Sequence, residues 1–169
     1  RAAGAVILGK LNMHEGALGA TTDNTRWGRC INPLKDGYTP GGSSGGSAAA
    51  IAAGFVPVTL GTDTMGSVRI PAAYCGLWGL KPTMGLIGNT GLSYLAWTLD
   101  TIGPLGRSAD DLTLMLEAMA GFDPADPYAR EGAQLPELAA DAPITLGLPP
   151  RDTASEEPEV TRAFDAFID

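Results

Sequence analysis

A chain of 169 residues, 44% of them hydrophobic and 18% charged, has the composition of an ordinary globular protein and the length to bury one core. A formal net charge of −8, with its 11 Lys and Arg scattered singly, argues against nucleic acid and anionic membrane as partners. His14 is the one histidine and neither Cys30 nor Cys75 has metal-ligand spacing, so no metal site is expected and the thiols are read as free in a reducing, cytoplasmic setting.

No apolar run approaches a membrane span, and residues 1–20 lack the charged-then-apolar layout of a signal peptide. Ala5-Val-Ile-Leu8 predicts a buried strand, and the polar stretch Thr21 to Pro40 predicts a long loop. Gly41-Gly-Ser-Ser-Gly-Gly46 then feeds a short helix whose small residues, Ala48 to Ala53, permit close packing, with Gly54 suited to a left-handed cap. Phe55 to Leu60 predicts a strand buried on both faces, Gly61 to Ser67 a second turn-rich segment, and Leu77 to Leu80 a further apolar strand. Ser108-Ala-Asp-Asp111 has capping-box spacing, and Leu112, Met115, Leu116 and Met119 repeat at helical intervals up to Gly121. Residues 123–143 predict a surface loop, Ile144 to Leu148 a strand, and Pro158, Val160, Phe164, Phe167 and Ile168 a helical stripe. Strands alternating with helices point to an α/β architecture. A first residue Arg1 without Met and a last helix without a cap lead to the expectation that residues 1–169 are the central part of a single domain, truncated at both ends.

Two glycine-rich, serine-bearing turns flank one helix and one strand, so the chain can fold back and bring them to one sheet edge. Glycines around a serine clear space for a substrate and let backbone N–H groups converge on one point, which is what acyl transfer needs to hold an oxyanion. Taken alone, Gly41 to Gly46 serves equally as a structural turn, a phosphate loop or a catalytic turn, although the GxxxxGK[ST] lysine and the GxGxxG spacing are missing. Neither serine lies in a G-x-S-x-G elbow, and His14 in Asn12-Met-His-Glu15 fits a hydrogen-bonded structural residue better than a base. Serine chemistry here would then call on another base, such as a lysine kept neutral by desolvation.

Gly41-Gly-Ser-Ser-Gly-Gly-Ser-Ala-Ala-Ala-Ile-Ala-Ala-Gly54, Leu60-Gly-Thr-Asp-Thr-Met-Gly-Ser-Val-Arg-Ile-Pro-Ala-Ala-Tyr-Cys-Gly76 and Gly79-Leu-Lys-Pro-Thr83 closely resemble the amidase signature. Gly9-Lys-Leu-Asn-Met-His-Glu15, Leu99-Asp-Thr-Ile-Gly-Pro104 and the 108–121 helix extend the resemblance over most of residues 1–125. It implies an α/β fold around a large mixed β-sheet covered by helices, and a Ser-cisSer-Lys triad needing no cofactor. By position, Ser67 is the nucleophile and Ser43 the cis-serine relay, 24 positions apart. The amides of Thr64, Met65, Gly66 and Ser67 would form the oxyanion hole. Ser44 would support Ser43 by hydrogen bonding, and Asp63 and Arg69 would clamp the nucleophile turn. Gly16, Ala17 and Leu18, with Tyr94 and Trp97, are suggested as substrate contacts.

Two departures stand out. Met65 replaces a glycine usual in the family, which would place a thioether beside the oxyanion hole. The family's lysine lies in an upstream Val-Lys-Asp-like segment absent from these residues, and Lys10, Lys35 and Lys81 belong to segments that are structural in the family. The 169 residues are therefore expected to hold a nucleophile and a relay without a base, and to be inactive alone. The resemblance implies hydrolysis of a small-molecule amide, and it admits a homodimer. The alternatives are the glutaminase component of a tRNA-dependent amidotransferase, or a non-catalytic fragment. Met65 and Gly88 to Thr98 favour a stand-alone amidase.

Overall fold

The computed structural model describes residues 1–132, 143, 145, 147, 148, 150, 151 and 155–168. They fall into two units, Arg1–Leu135 and Pro136–Asp169.

In the first unit, the stretch expected as a loop carries a short antiparallel pair, β1 (Asp23–Asn24) and β2 (Gly28–Arg29). Its turn is closed by Asn24 Oδ1, which accepts from the amides of Arg26 and Trp27, both at 2.9 Å. Helix α1 (Gly45–Ala52) ends in a Schellman arrangement: Gly54 N–H reaches Ile51 O and Phe55 N–H reaches Ala50 O, each at 2.9 Å, with Gly54 at φ 81°. Arg107 Nη2 donates to the same Ile51 carbonyl at 2.6 Å, placing a cation at the negative end of the helix.

Strand β3 (Thr59–Asp63), helix α2 (Arg69–Tyr74), strand β4 (Trp78–Gly79) and strand β5 (Thr101–Gly106) follow. The sheet is antiparallel in the order β3-β5-β4, with Thr59 opposite Leu105, Asp63 opposite Thr101 and Trp78 opposite Gly106. Helix α3 (Ala109–Met119) begins with a complete capping box: Ser108 Oγ accepts from Asp111 N–H at 3.1 Å while Asp111 Oδ2 accepts from Ser108 N–H at 3.0 Å. Its Leu112 is buried, and Met115, Leu116 and Met119 lie half-buried on the same stripe.

The core is Ala48 and Ile51 of α1, Ala72 of α2, Cys75, Leu105 of β5 and Val68 from the turn before α2. Alanines on α1 let that helix lie against β3 closely enough for side chains to reach main chain. Ser47 Oγ donates to Leu60 O at 2.8 Å, and Thr59 Oγ1 donates to Ser47 O at 3.2 Å. Both thiols are free, and burial, with a smaller contribution from the Cys30 charge, pushes the Cys75 thiol up to about 11.

Four sequence expectations are corrected. Ala5–Leu8 forms no strand, and Val6, Ile7 and Leu8 are 81, 61 and 73% exposed: an apolar run signals a demand for burial, and no ladder partner among the described residues meets it. The strand expected at 55–60 runs instead from Thr59 to Asp63, because the Schellman turn consumes Phe55, and neither face buries Phe55 or Leu60. The 77–80 strand contracts to two residues, the length over which it pairs with β5. The central strand β5, read as flanking sequence, is the main element missed. The strand expected at Ile144 to Leu148 lies partly outside the described residues, and Thr145, Gly147 and Leu148 form no strand.

In the second unit, helix α4 (Pro158–Ile168) has Pro at its first position, where its missing N–H leaves no bond unmade. The Arg151 guanidinium stacks on the Phe164 ring at 3.9 Å and pairs with Glu156 and Asp165.

Candidate active site

The turn that carries Ser67 is built around one carboxylate. Asp63, the last residue of β3, is fully buried, and its oxygens accept from the amides of Gly66 at 2.6 Å, Val68 at 3.1 Å and Arg69 at 3.4 Å. They also receive Arg69 Nε and Nη2, each at 3.0 Å, in a two-pronged ion pair. Val68 caps α2 without a side-chain bond of its own, so Asp63 supplies the acceptor that the first turn of that helix lacks. Burial pushes the Asp63 carboxyl upward, but the Arg69 hydrogen bond, the Val68 and Gly66 amides and the Arg69 charge together outweigh it and hold the group below its ordinary value. Gly66 sits at φ 128° with Ile70 Cδ1 2.8 Å from where a Cβ would stand, so both backbone and space require glycine there.

The turn that carries Ser43 is built around one hydroxyl. Thr22 is fully buried, and its Oγ1 donates to the carbonyls of Gly41 at 2.7 Å and Ser43 at 3.2 Å while accepting from Gly45 N–H at 3.0 Å. A Cβ on Gly45 would collide with that hydroxyl, so the glycine makes room for the clamp. His14 N–H adds a bond to the Ser43 carbonyl at 2.9 Å. The Gly42–Ser43 peptide bond is cis. Ser43 Oγ is completely buried and has no hydrogen-bond partner among the described residues.

The two turns meet through main chain. Ser44 N–H donates to the Ser67 carbonyl at 3.1 Å. Ser44 Oγ donates to Thr62 O at 3.2 Å and accepts from Thr62 N–H at 3.1 Å, riveting the start of α1 to β3. Ser44 therefore supports the site through Thr62 rather than by a bond to Ser43, because its hydroxyl is already committed twice.

Of the four amides expected in an oxyanion hole, that of Gly66 is bound by the charged Asp63 oxygen at 2.6 Å and is withdrawn from the set. Those of Thr64, Met65 and Ser67 take no acceptor among the described residues. Met65 is 82% exposed, so its thioether stands out over the turn and does not fill it. Thr64 Oγ1 donates to Asp100 Oδ1 at 2.5 Å.

His14 Nδ1 lies 3.3 Å from Thr21 Oγ1 and the ring stands against Gly19, so that only the His14 backbone reaches Ser43. None of the lysines approaches Ser43 Oγ within bonding distance. Lys81 Nζ bonds Pro82 O at 3.1 Å and Thr101 Oγ1 at 3.5 Å, and Lys35 Nζ stands 4.1 Å over the Tyr38 ring. Gly16 and Ala17 lie in a 3₁₀ turn, Glu15–Ala17, directly after the His14 that bonds Ser43, both at positive φ, and Leu18 is 72% exposed. Tyr94 and Trp97 are 41 and 68% exposed. The sequence reading missed Thr22 and Asp100. A lone threonine carries no motif, whereas Asp100 stood in a recognised flank, Leu99 to Pro104, without a role attached.

The family model for amidases matches residues 1–169. AtzE, a component of the 1-carboxybiuret hydrolase of Pseudomonas sp. (strain ADP), is 54% identical over 127 residues, 75% of this chain and 28% of its own. The A component of glutamyl-tRNA(Gln) amidotransferase from Picosynechococcus sp. is 46% identical over 175 residues, 98% of this chain and 36% of its own. The chain thus spans about a third of the length of these curated relatives. Among solved structures, 6-aminohexanoate cyclic dimer hydrolase with substrate superposes with a TM-score of 0.72 at 40% identity, covering 78% of this chain and 28% of that one. The corresponding glutamyl-tRNA(Gln) amidotransferase component from Thermotoga maritima gives 0.73 at 42% identity, covering 76% and 28%.

Proposed function

The chain belongs to the amidase family, and on that premise we propose that the protein carrying it hydrolyses a carboxylic amide C–N bond through an acyl-enzyme on Ser67. Ser67 Oγ attacks the amide carbonyl, and Ser43 passes the Ser67 proton to a lysine and returns a proton to the leaving nitrogen. Water then releases the acid and restores both hydroxyls. The amides of Thr64, Met65 and Ser67 hold the developing oxyanion. The observation that supports this reading is the Ser44 N–H bond to the Ser67 carbonyl, which brings the residue next to Ser43 against the turn that carries Ser67.

The lysine of this scheme is proposed to come from residues outside these 169: none of Lys10, Lys35 and Lys81 bonds the Ser43 hydroxyl, and Lys81 is committed to Pro82 and Thr101 and Lys35 to Tyr38. Gly16, Ala17, Leu18, Tyr94 and Trp97 are proposed as walls for a small amide. The acidity of the chain supports a role without nucleic acid, and its free thiols support a reducing, cytoplasmic setting. No helix among the described residues is long and apolar enough to cross a membrane.

The test is labelling of the full-length protein with a fluorophosphonate, mapped by peptide mass, alongside acid release from short aliphatic and aryl amides. Labelling on Ser67, lost in Ser67→Ala and strongly slowed in Ser43→Ala, is the expected result; labelling elsewhere refutes the assignment. Residues 1–169 alone should label negligibly, and vigorous labelling would place the base within this chain. A second reading, glutamine hydrolysis within an amidotransferase, draws on the 98% coverage of this chain by the Picosynechococcus relative. Glutaminase activity that appears only with partner proteins would select it.

A further inference from the structure

We propose that Asp100 is a positioning residue for the oxyanion turn, acting through the hydroxyl of Thr64 and tying that turn to the Leu95–Ala96 backbone. The proposal rests on the reading of Ser67 as nucleophile. The β3–β5 register ends with Asp63 opposite Thr101, and one residue beyond that pair come Thr64, after β3, and Asp100, before β5. The antiparallel geometry therefore sets these two side chains against each other just where the ladder opens into the Ser67 turn.

Asp100 is 3% exposed, and both its oxygens are used. Oδ1 takes Thr64 Oγ1 at 2.5 Å, and Oδ2 takes the amides of Leu95 at 2.6 Å and Ala96 at 2.9 Å. Its carbonyl accepts from Asn89 Nδ2 at 3.0 Å, and its own N–H donates to Ala96 O at 2.8 Å, so the carboxylate is itself held on two sides. Asp63 fixes the far end of the turn by binding Gly66 and Val68. Thr64 and Met65, whose amides face no acceptor among the described residues, lie between two buried carboxylates, with Asp100 anchoring the near end. A hydroxyl bonded to a carboxylate oxygen is held more tightly and at shorter distance than one on a neutral acceptor, which suits a position where small displacements of a donor matter. The same carboxylate holds the backbone between Tyr94 and Trp97 through the Leu95 and Ala96 amides.

The experiment uses the full-length protein and four variants: Thr64→Val, Thr64→Ser, Asp100→Ala and the double Thr64→Val/Asp100→Ala. Thr64→Val, which swaps the hydroxyl for a methyl of the same shape, should slow fluorophosphonate labelling and kcat by about 10- to 100-fold with little change in KM, the size expected for a donor displaced by a fraction of an ångström. Thr64→Ser, which keeps the hydroxyl, should recover most of that loss. The double variant should be no slower than the worse single one, because both break one link. A Thr64→Val protein that labels at the wild-type rate, or losses that multiply in the double variant, overturns the proposal. Hydrogen exchange keeps its failure apart from failure of the nucleophile reading. Whether or not Ser67 reacts, Asp100→Ala should speed exchange at the Leu95 and Ala96 amides by about tenfold or more. Unchanged exchange there removes the hub, whereas a wild type that exchanges slowly but never labels removes the nucleophile. If Asp100→Ala fails to fold, the Thr64 pair alone still decides the proposal.

Discussion

Replacing Asp63 by Asn changes one atom and leaves the shape, and so isolates what the carboxylate does. An amide keeps one acceptor oxygen and turns an NH2 group toward the other set of donors, so either Gly66 N–H or Val68 N–H loses its partner. Both residues are buried, and a buried donor left unpaired costs about 1–3 kcal/mol. The ion pair adds little to this, because the Arg69 side chain is 53% exposed and rehydrates when released; a pair of that kind is worth about 1 kcal/mol or less. Asp63→Asn should therefore lower unfolding stability by about 1–3 kcal/mol and Arg69→Met by less than about 1 kcal/mol, read from urea denaturation at pH 7. The pH dependence follows from the depressed carboxyl: its stabilisation is present above the unfolded-state value near 3.8 and is lost as pH falls through the lower folded value. Wild type should lose its advantage over Asp63→Asn across that acid range and nowhere above it. An Arg69→Met protein as unstable as Asp63→Asn, or an advantage that does not decline at all on acidification below about 3.8, would refute the view that Asp63 works chiefly by holding the backbone.

Thr22→Val leaves the Gly41 carbonyl and the Gly45 N–H without their partner and removes one of the two donors to the Ser43 carbonyl, which keeps His14 N–H; it should cost about 2–4 kcal/mol by urea denaturation together with a marked fall in Ser67 labelling. Ser43→Ala should do the opposite to stability: removing a buried hydroxyl with no partner should leave the melting temperature unchanged or raise it, by up to about 1 kcal/mol in unfolding free energy, while amide turnover collapses. Ser108→Ala removes one half of the α3 capping box and should cost about 1 kcal/mol in denaturant with no change in the labelling rate of Ser67.

The elements most legible in the sequence were those whose signal is local. The capping box and 3.6-residue stripe of α3, and the alanine run with Gly54 closing α1, depend on neighbours within a turn or two of the chain. The two serine turns were also legible, since glycine clusters mark close approach and the motif fixes the residues. Strand β5 was obscured because Gly103 and Pro104 argue against a central strand, and only the pairing with both β3 and β4 overrides that local preference. Ala5–Leu8 misled in the other direction, since apolar composition says what a segment favours and not what lies within reach of it. Within the site, Thr22 and Asp100 were invisible as roles because Thr22 acts on backbone 19 to 23 positions away and Asp100 reaches the Thr64 hydroxyl 36 positions away, contacts that no short motif encodes. The commitment of Gly66 N–H to Asp63 was likewise unreadable, as a list of amides in a turn does not say which way each one points.

The bond from Ser44 N–H to the Ser67 carbonyl has a further implication for how such a site can change over time. It ties the two turns through peptide groups, which every residue type but proline retains, and not through the hydroxyls proposed to perform the chemistry. On the proposed reading, substituting Ser43 or Ser67 should therefore silence the site while preserving its shape, so that Ser67→Ala becomes a natural trap for holding an intact amide in place. Heritable loss of activity is then one substitution away and costs the fold nothing, which leaves a descendant free to keep the recognition surface for another use.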